Sequence, residues 1–480
     1  MLARIVHRTG EQDVTSTNER PGVAPALIDA LRETVTGRVV APGDEDWAMQ
    51  RLGWNLAVDQ QPAAVVHVET IDDIVAAVRF ARDRGLSVAA QPVGHGATNA
   101  VDGAIILRTG ALKNLRVDLD AGTATVGAGV RARELSAALN GSGLCGLPGS
   151  SGDPTVVGYT LGGGLSWFGR KYGQAANRVR RFEVVTADGV LTSVTAASDP
   201  DLFWALRGGG GDFAIVAEME IELAPLPDLY GGKLVWPVGE ARAVMKAFTE
   251  VTATAPEELT LWAWLLNLPD VPIVPEPLRG RWAVAVDTAF IGTAERAEEL
   301  IAPIRAAVST PIAGQLGPLT LTELAAVAAE PDDPIPGMID TVLLNRLDDE
   351  VLDAFLAAVA PGEPSAVAMY EIRHLGGALA RPGDGDGAAG HLDEPYLLMF
   401  GGFLPVPELA VPLAAGMDAL RSAMAPYASG RVPANFSEDP GVDRLYPPAV
   451  LERLRVIKQE RDPDGVIRGN HPVAAVVVAS

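Results

Sequence analysis

The stretch Ser87-Val-Ala-Ala-Gln-Pro-Val-Gly-His-Gly-Ala-Thr-Asn99 decides how the chain folds. A short apolar strand over 87–90 runs into a tight loop over 91–97, where Gly94 and Gly96 flank His95. Glycines accept positive φ and let backbone approach a ligand, so several N–H groups can converge on one anion. A histidine between two glycines at a strand end is expected to be exposed rather than packed. Alone, the stretch fits a hairpin turn with a surface imidazole as well as it fits a cofactor loop.

The flanking sequence favours the second reading. A β-branched strand is expected over 62–68 and a helix over 71–84, with Thr70 as N-cap and Asp73 three residues on. Ile74, Val75, Val78 and Ala81 form one apolar stripe, and Gly85 ends the helix. Strand, helix and strand together suggest a dinucleotide-binding unit, but the loop at Gly94 does not spell GxGxxG and opens into further strands at 104–107, 115–117 and 123–126. That motif occurs at 141–146, after an expected helix at 132–139, and at 385–390, inside a Gly/Asp-rich stretch over 382–394 read as a mobile loop. Neither has strand–turn–helix context, and GxxxxGK[ST] is absent.

Two more glycine-rich segments follow. Gly146-Leu-Pro-Gly-Ser-Ser-Gly-Asp-Pro-Thr-Val-Val-Gly-Tyr-Thr-Leu-Gly-Gly-Gly164 offers amides and hydroxyls suited to phosphate or ribityl contact, and Val156, Val157 and Leu161 argue against a floppy linker. Gly208 to Gly211 precedes an alternating strand with Ile215, Ala217, Met219, Ile221 and Leu223 on one face. Beyond Ala224-Pro-Leu-Pro227 the texture changes to strands at 233–238, 261–266, 281–289, 366–374 and 395–403 with helices at 293–308 and 411–424, around a Pro-rich middle. The expected organisation is an irregular arm (1–57), a first domain (58–227), a second α+β domain on an antiparallel sheet (228–430), and a C-terminal segment (431–480) returning to the first.

Composition excludes several classes. A formal net charge of −23 over 480 residues would repel nucleic acid and anionic membrane. One cysteine, Cys145, leaves no internal disulfide and no cysteine-based zinc site, and the six histidines show no metal-ligand spacing, so no metal is expected. Without an apolar leader or spanning run, cytoplasmic location is the default expectation.

Three glycine-rich segments in this order, with one histidine in the first, resemble the FAD-linked oxidases of the vanillyl-alcohol-oxidase superfamily, especially the berberine-bridge-enzyme and 6-hydroxynicotine-oxidase type. Asp201-Leu-Phe-Trp-Ala-Leu-Arg-Gly-Gly-Gly-Gly211, Phe213-Ala-Ile-Val216, Lys171-Tyr-Gly173 and Lys458-Gln-Glu-Arg-Asp-Pro-Asp464 carry the match. The resemblance implies an α+β fold: a PCMH-type FAD-binding domain of two α/β subdomains, plus a substrate domain with a helix-covered antiparallel sheet. It implies that FAD is held by Gln91, Pro92, Val93, Gly94, His95, Gly96, Ala97, Ser150, Ser151, Gly158, Gly163, Gly164, Val216, Asn435 and Asn470. In that family the loop histidine is joined to the flavin 8α-methyl. Here Gln91-Pro92-Val93 departs from the family's Arg and small residues, while His95 stays in place. Ser151 stands where doubly linked members have a cysteine, so one link, through His95, is implied. Pro433 stands where some members place a tyrosine base.

Family chemistry removes a hydride from a C–H beside oxygen or nitrogen of a small organic substrate and passes electrons to dioxygen. The base must then come from the substrate domain. Met369-Tyr-Glu-Ile-Arg-His374 is the best stretch, with Glu371 and Arg373 on one face and Tyr370 and His374 on the other, although alternating charges more often mark a solvated face. Glu371, Arg373 and His374 are the candidate catalytic residues. A dehydrogenase using another acceptor, and a flavin-holding protein without turnover, are the alternative readings.

Overall fold

The computed structural model describes residues 25–270, 274, 276–439 and 441–474. Three large sheets, beside a two-stranded pairing of Leu144–Cys145 with Ala224–Pro225, organise them into an α+β fold. The first has the order Val39–Val40, Ala64–His67, Ile105–Arg108, Val88–Ala90, the last three strands parallel. Parallel neighbours need a crossover, supplied by the helix Ile71–Arg82. Its Thr70 hydroxyl accepts from Asp73 N–H, and the Asp73 carboxylate accepts from the N–H groups of Glu69, Thr70 and Thr36. Thr36 belongs to the segment read as an irregular arm. Within its described part that segment instead forms a helix, Pro25–Thr34, whose Ile28 and Leu31 pack beneath the crossover helix, and the edge strand Val39–Val40.

The second sheet is antiparallel: Leu115–Asp118, Thr123–Gly127, Ile215–Glu222, Val179–Val185, Leu191–Val194. The alternation expected along 215–223 breaks at a β-bulge between Val216 and Glu218. Ile215 and Ala217 therefore join the core of the first sheet, while Met219, Ile221 and Leu223 face the other way. The glycine-rich second segment is ordered by the short helix Val156–Leu161, with Val156 and Val157 buried.

The third sheet has seven antiparallel strands: Ala313–Pro318, Leu229–Pro237, Trp282–Ile291, Leu259–Asn267, Met369–His374, Tyr396–Phe403, Gly337–Leu344. Helices Ala241–Thr252, Ala294–Ala307, Asp349–Val359 and Ala410–Met424 cover one face through Val244, Phe248, Phe355 and Leu413. Its opposite, inner face meets the residues that follow the second glycine-rich segment, where Trp167 stacks on Trp262 with ring centroids 3.4 Å apart. The Pro-rich middle contributes two strands and two helices, Ala325–Ala328 and Asp349–Val359, that proline spacing concealed. The Gly/Asp-rich stretch read as a mobile loop is anchored: Arg207 donates to Gly385 O, Gly387 N–H donates to Asn177 Oδ1, and Ala388 is buried.

Candidate active site

Local sequence shapes the His95 loop. Gly94 has φ +89°, and a Cβ there would sit 2.6 Å from Gly53 Cα, so only glycine fits this crossing of two backbones. Gln91 is buried and exchanges hydrogen bonds with Gln60, while Arg108 donates to Gln91 O. The N–H groups of Val93, Gly94, His95 and Gly96 meet no protein acceptor among the described residues. Four adjacent free donors make a cradle for a diphosphate or another anion. Pro92 and Val93 are half-buried and Ala97 buried.

His95 is not the exposed imidazole expected. It stacks on Trp54, centroids 4.5 Å apart, and its Nε2 lies 3.0 Å from Asp153 Oδ2. Arg131 hydrogen-bonds the other oxygen of Asp153, and Arg133 lies 3.2 Å from it. Burial holds the His95 pKa below its ordinary value against the upward pull of Asp153.

The C-terminal segment contacts this loop as well as the second glycine segment and the residue after the third. Asn435 accepts from Gly164 N–H and donates to Tyr159 O, holding the turn in which Gly163 and Gly164 both take positive φ. Gly158 lies in the Thr155-capped helix and Val216 in the bulged strand. Lys458, buried beneath, donates to Asp462 Oδ2 and to the carbonyls of Asp212 and Ile467. Asp212 in turn accepts from Gly469 N–H, which delivers Asn470 to the loop: its carbonyl accepts from Thr98 Oγ1 and its side chain lies beside Gly96.

Across from the loops stands the inner face of the seven-stranded sheet. Register aligns Lys233, Asp287, Trp262 and Arg373 in one row over four strands, with Trp264 and Glu371 paired in the next. Arg373 places its guanidinium 4.0 Å above the Trp262 ring and 5.0 Å from that of Phe436. Its Nη2 lies 2.9 Å from Glu371 Oε2, 3.4 Å from Ser150 Oγ and 3.5 Å from Glu330 Oε1. Glu371 is 0 % exposed, not part of a solvated face, and its Oε1 has no hydrogen-bond partner. Burial raises its pKa to about 7 despite Arg373, with Glu330 and Asp287 adding to the rise. A wholly buried carboxyl poised near neutrality, one oxygen uncommitted, is suited to take up and release a proton.

The loop Ser150–Asp153 joins the two halves. Asp153 holds His95, Ser151 Oγ accepts from Asp153 N–H, and Ser150 reaches Arg373. His374 is a correction. Its side chain lies on the helix-covered face, stacked on Tyr396 with Nε2 2.8 Å from Arg170 Nη1, and burial plus that cation hold its pKa well below the ordinary value. It braces the covered side of the sheet, away from Glu371. Tyr370 shares that face, with its OH 3.3 Å from Ser365 Oγ. Sequence reading missed Asp153, Trp54, Glu330, Asp287 and Lys233. Asp153 was visible only as an acid inside a glycine-rich run, and the others reach the site through long-range pairing.

A free-donor cradle and an orphaned buried carboxyl on a face lined with aromatic rings match the demands of a dinucleotide flavin: anion contacts at one end and a redox-active ring beside a proton acceptor at the other. They define a flavin-binding oxidoreductase. A family model described as an FAD binding domain matches residues 62–195. The chain is 26 % identical over 460 residues to (R)-6-hydroxynicotine oxidase of Paenarthrobacter nicotinovorans, covering 92 % of this chain and 97 % of that one. It is 26 % identical over 459 residues to glucooligosaccharide oxidase of Sarocladium strictum, covering 88 % and 89 %. The solved structure of Physcomitrella patens BBE-like 1 shares the fold, with a TM-score of 0.81 at 20 % identity over 94 % of this chain and all of that one. The protein is an FAD-dependent oxidoreductase with the PCMH-type fold, similar to the berberine-bridge-enzyme and 6-hydroxynicotine-oxidase type.

Proposed function

We propose that the protein is an oxidase that removes a hydride from a C–H bond next to oxygen or nitrogen of a small organic substrate, with dioxygen as final electron acceptor. The observation that carries this reading is Glu371: a carboxyl buried on the inner face, raised to about 7, with Oε1 uncommitted. FAD, when bound, supplies the hydride acceptor, and the protein's part is to position the donor carbon and manage the proton. Glu371 Oε1 takes the proton from the adjoining O–H or N–H as the hydride departs. Arg373, fixed by Trp262 and Phe436, stabilises the carboxylate before that transfer and then orients the neutral acid. Trp264, on the same inner face, offers an apolar wall, and Lys233 and Asp287 offer polar contacts to substrate hydroxyls or amines. The relatives named for an amine-bearing heterocycle and for a sugar both fit that mixture.

The N–H groups at Val93 to Gly96 would hold the FAD diphosphate, Asn435 and Asn470 would line the flavin end, and His95 would carry one covalent link to it. Cys145 is buried with its thiol pushed up to about 12, which removes it as a second attachment point. Two measurements test the reading. A panel of amines, alcohols and sugars is mixed with the protein without oxygen until the flavin bleaches, and air is then admitted. Prompt reoxidation with hydrogen peroxide release is expected. Flavin that stays reduced in air yet yields to an artificial acceptor would make the protein a dehydrogenase. For the link, acid precipitation should leave the flavin on a peptide containing His95, and flavin wholly in the supernatant would remove it.

A further inference from the structure

We infer that Asp153 is a positioning residue for His95: it accepts a hydrogen bond from Nε2–H and so leaves Nδ1 as the nucleophilic ring nitrogen through which the flavin link forms. This rests on the reading that His95 carries the link, and it adds the residue that fixes the tautomer and orientation of the ring.

A neutral imidazole carries one N–H and one lone pair, and the neighbour of one nitrogen decides the state of the other. Asp153 Oδ2 lies 3.0 Å from Nε2. A carboxylate held between the guanidinium groups of Arg131 and Arg133 is an acceptor only, so Nε2 must be the donor. The Asp153 side chain is 4 % exposed, and its backbone N–H donates to Ser151 Oγ at 3.2 Å, which limits its freedom to turn away. Ring orientation is fixed from the other side. Trp54 stacks on the imidazole and is itself pinned: its Nε1 donates to Asp332 O, its N–H donates to Gly94 O, and its carbonyl accepts from Ile335 N–H. A ring flip would set a C–H against the carboxylate and lose the hydrogen bond. Burial keeps the ring neutral near neutral pH, so Nδ1 retains its lone pair.

A bond forms between Nδ1 and the 8α-methyl carbon as one C–H bond there breaks and its proton leaves. Alkylation makes the ring cationic, and the Nε2 proton passes toward Asp153 and solvent. Two electrons are left on the flavin and go to dioxygen, which with two protons becomes hydrogen peroxide. Asp153 acts twice, by keeping Nδ1 free beforehand and by stabilising the ring charge as the bond forms.

The test is Asp153→Asn in the full-length protein. The Arg131 guanidinium claims the single amide oxygen, so the amide NH2 turns to His95 Nε2 and donates. The tautomer reverses, and Nδ1 becomes protonated. Protein samples are held with FAD in air, precipitated with acid at intervals, and the flavin in the pellet is counted. Linkage in D153N should slow by roughly tenfold or more, the scale on which partners of a functional histidine act. Non-covalent FAD content and thermal unfolding should stay near wild type, which separates positioning from misfolding. The wild-type flavinyl peptide should carry the bond on Nδ1. A bond on Nε2, or D153N linked at the wild-type rate, overturns the proposal. If wild-type flavin is recovered wholly in the supernatant, the reading of a covalent link fails instead. The 15N spectrum of unlinked His95 then decides the positioning role alone, a proton on Nε2 supporting it and a proton on Nδ1 overturning it.

Discussion

The His95 loop and the inner face of the seven-stranded sheet meet at Ser150, yet they are built by opposite means. The loop offers backbone: four free N–H groups arranged by glycines within a few residues of one another. The sheet face offers side chains, Lys233, Asp287, Trp262, Arg373 and Glu371, drawn from four strands spread over 140 residues of sequence and aligned only by register. Backbone donors are indifferent to side-chain identity, so Pro92 and Val93 leave the cradle's N–H groups free. A charged row has no such tolerance, because each buried charge leans on its neighbour. The cofactor end should therefore fail by steric strain, and the chemical end by electrostatic imbalance.

The largest expected effect separates the two ends. Glu371→Gln should slow anaerobic flavin reduction by about 10²-fold or more with any substrate that bleaches the wild-type flavin, while flavin content is unchanged. Equal reduction rates would remove Glu371 from the chemistry. Gly94→Ala should do the reverse. Its Cβ would press on Gly53 at a φ of +89°, a strain of roughly 1–3 kcal/mol. The flavin-to-protein ratio after purification should fall, while the flavin that does bind is reduced at the wild-type rate. A full complement of flavin in G94A would show that the cradle is dispensable.

A smaller effect concerns stability. The folded chain holds a proton on Glu371 up to about pH 7, whereas the unfolded chain releases it near the ordinary glutamate value. The raised pKa therefore contributes stability that is complete below the unfolded value and is lost as pH rises through about 7. Its size is on the order of 3 kcal/mol. Asp287, raised to about 6, and Glu438, raised to about 7, titrate in overlapping windows, so the informative quantity is the difference between wild type and E371Q. Chemical denaturation from pH 5 to 8 should show a shallower fall in E371Q. Parallel curves would mean that Glu371 ionises as an ordinary carboxyl.

Legibility in the sequence follows the same division. The capping box at Thr70 and Asp73, the glycine loops and most strands of the large sheet could be read because their signals lie within a dozen residues. Elements hidden in Pro-rich sequence, Ala313–Pro318, Gly337–Leu344 and Asp349–Val359, could not, since tertiary pairing overrode local punctuation. The bulge near Ala217 hid in perfect alternation, because an inserted residue leaves no compositional trace. At the site, Glu371 and Arg373 could be placed on one face by periodicity alone. Nothing in the sequence said that this face is buried, that His374 pairs with Arg170 on the other, or that Trp54 and Asp153 enclose His95.

The most direct test of the central claim, that Glu371 is the ionisable group beside the flavin, needs no substrate. The absorption spectrum of the bound flavin is followed from pH 5 to 9 in wild type, E371Q and Glu438→Gln. Glu438 is the control: it too is raised to about 7 by burial, but it is committed to Asn55 Nδ2 and Ile339 N–H. A spectral transition with a midpoint near 7 is expected in wild type, retained in E438Q and missing in E371Q. A transition that persists unchanged in E371Q would contradict the account.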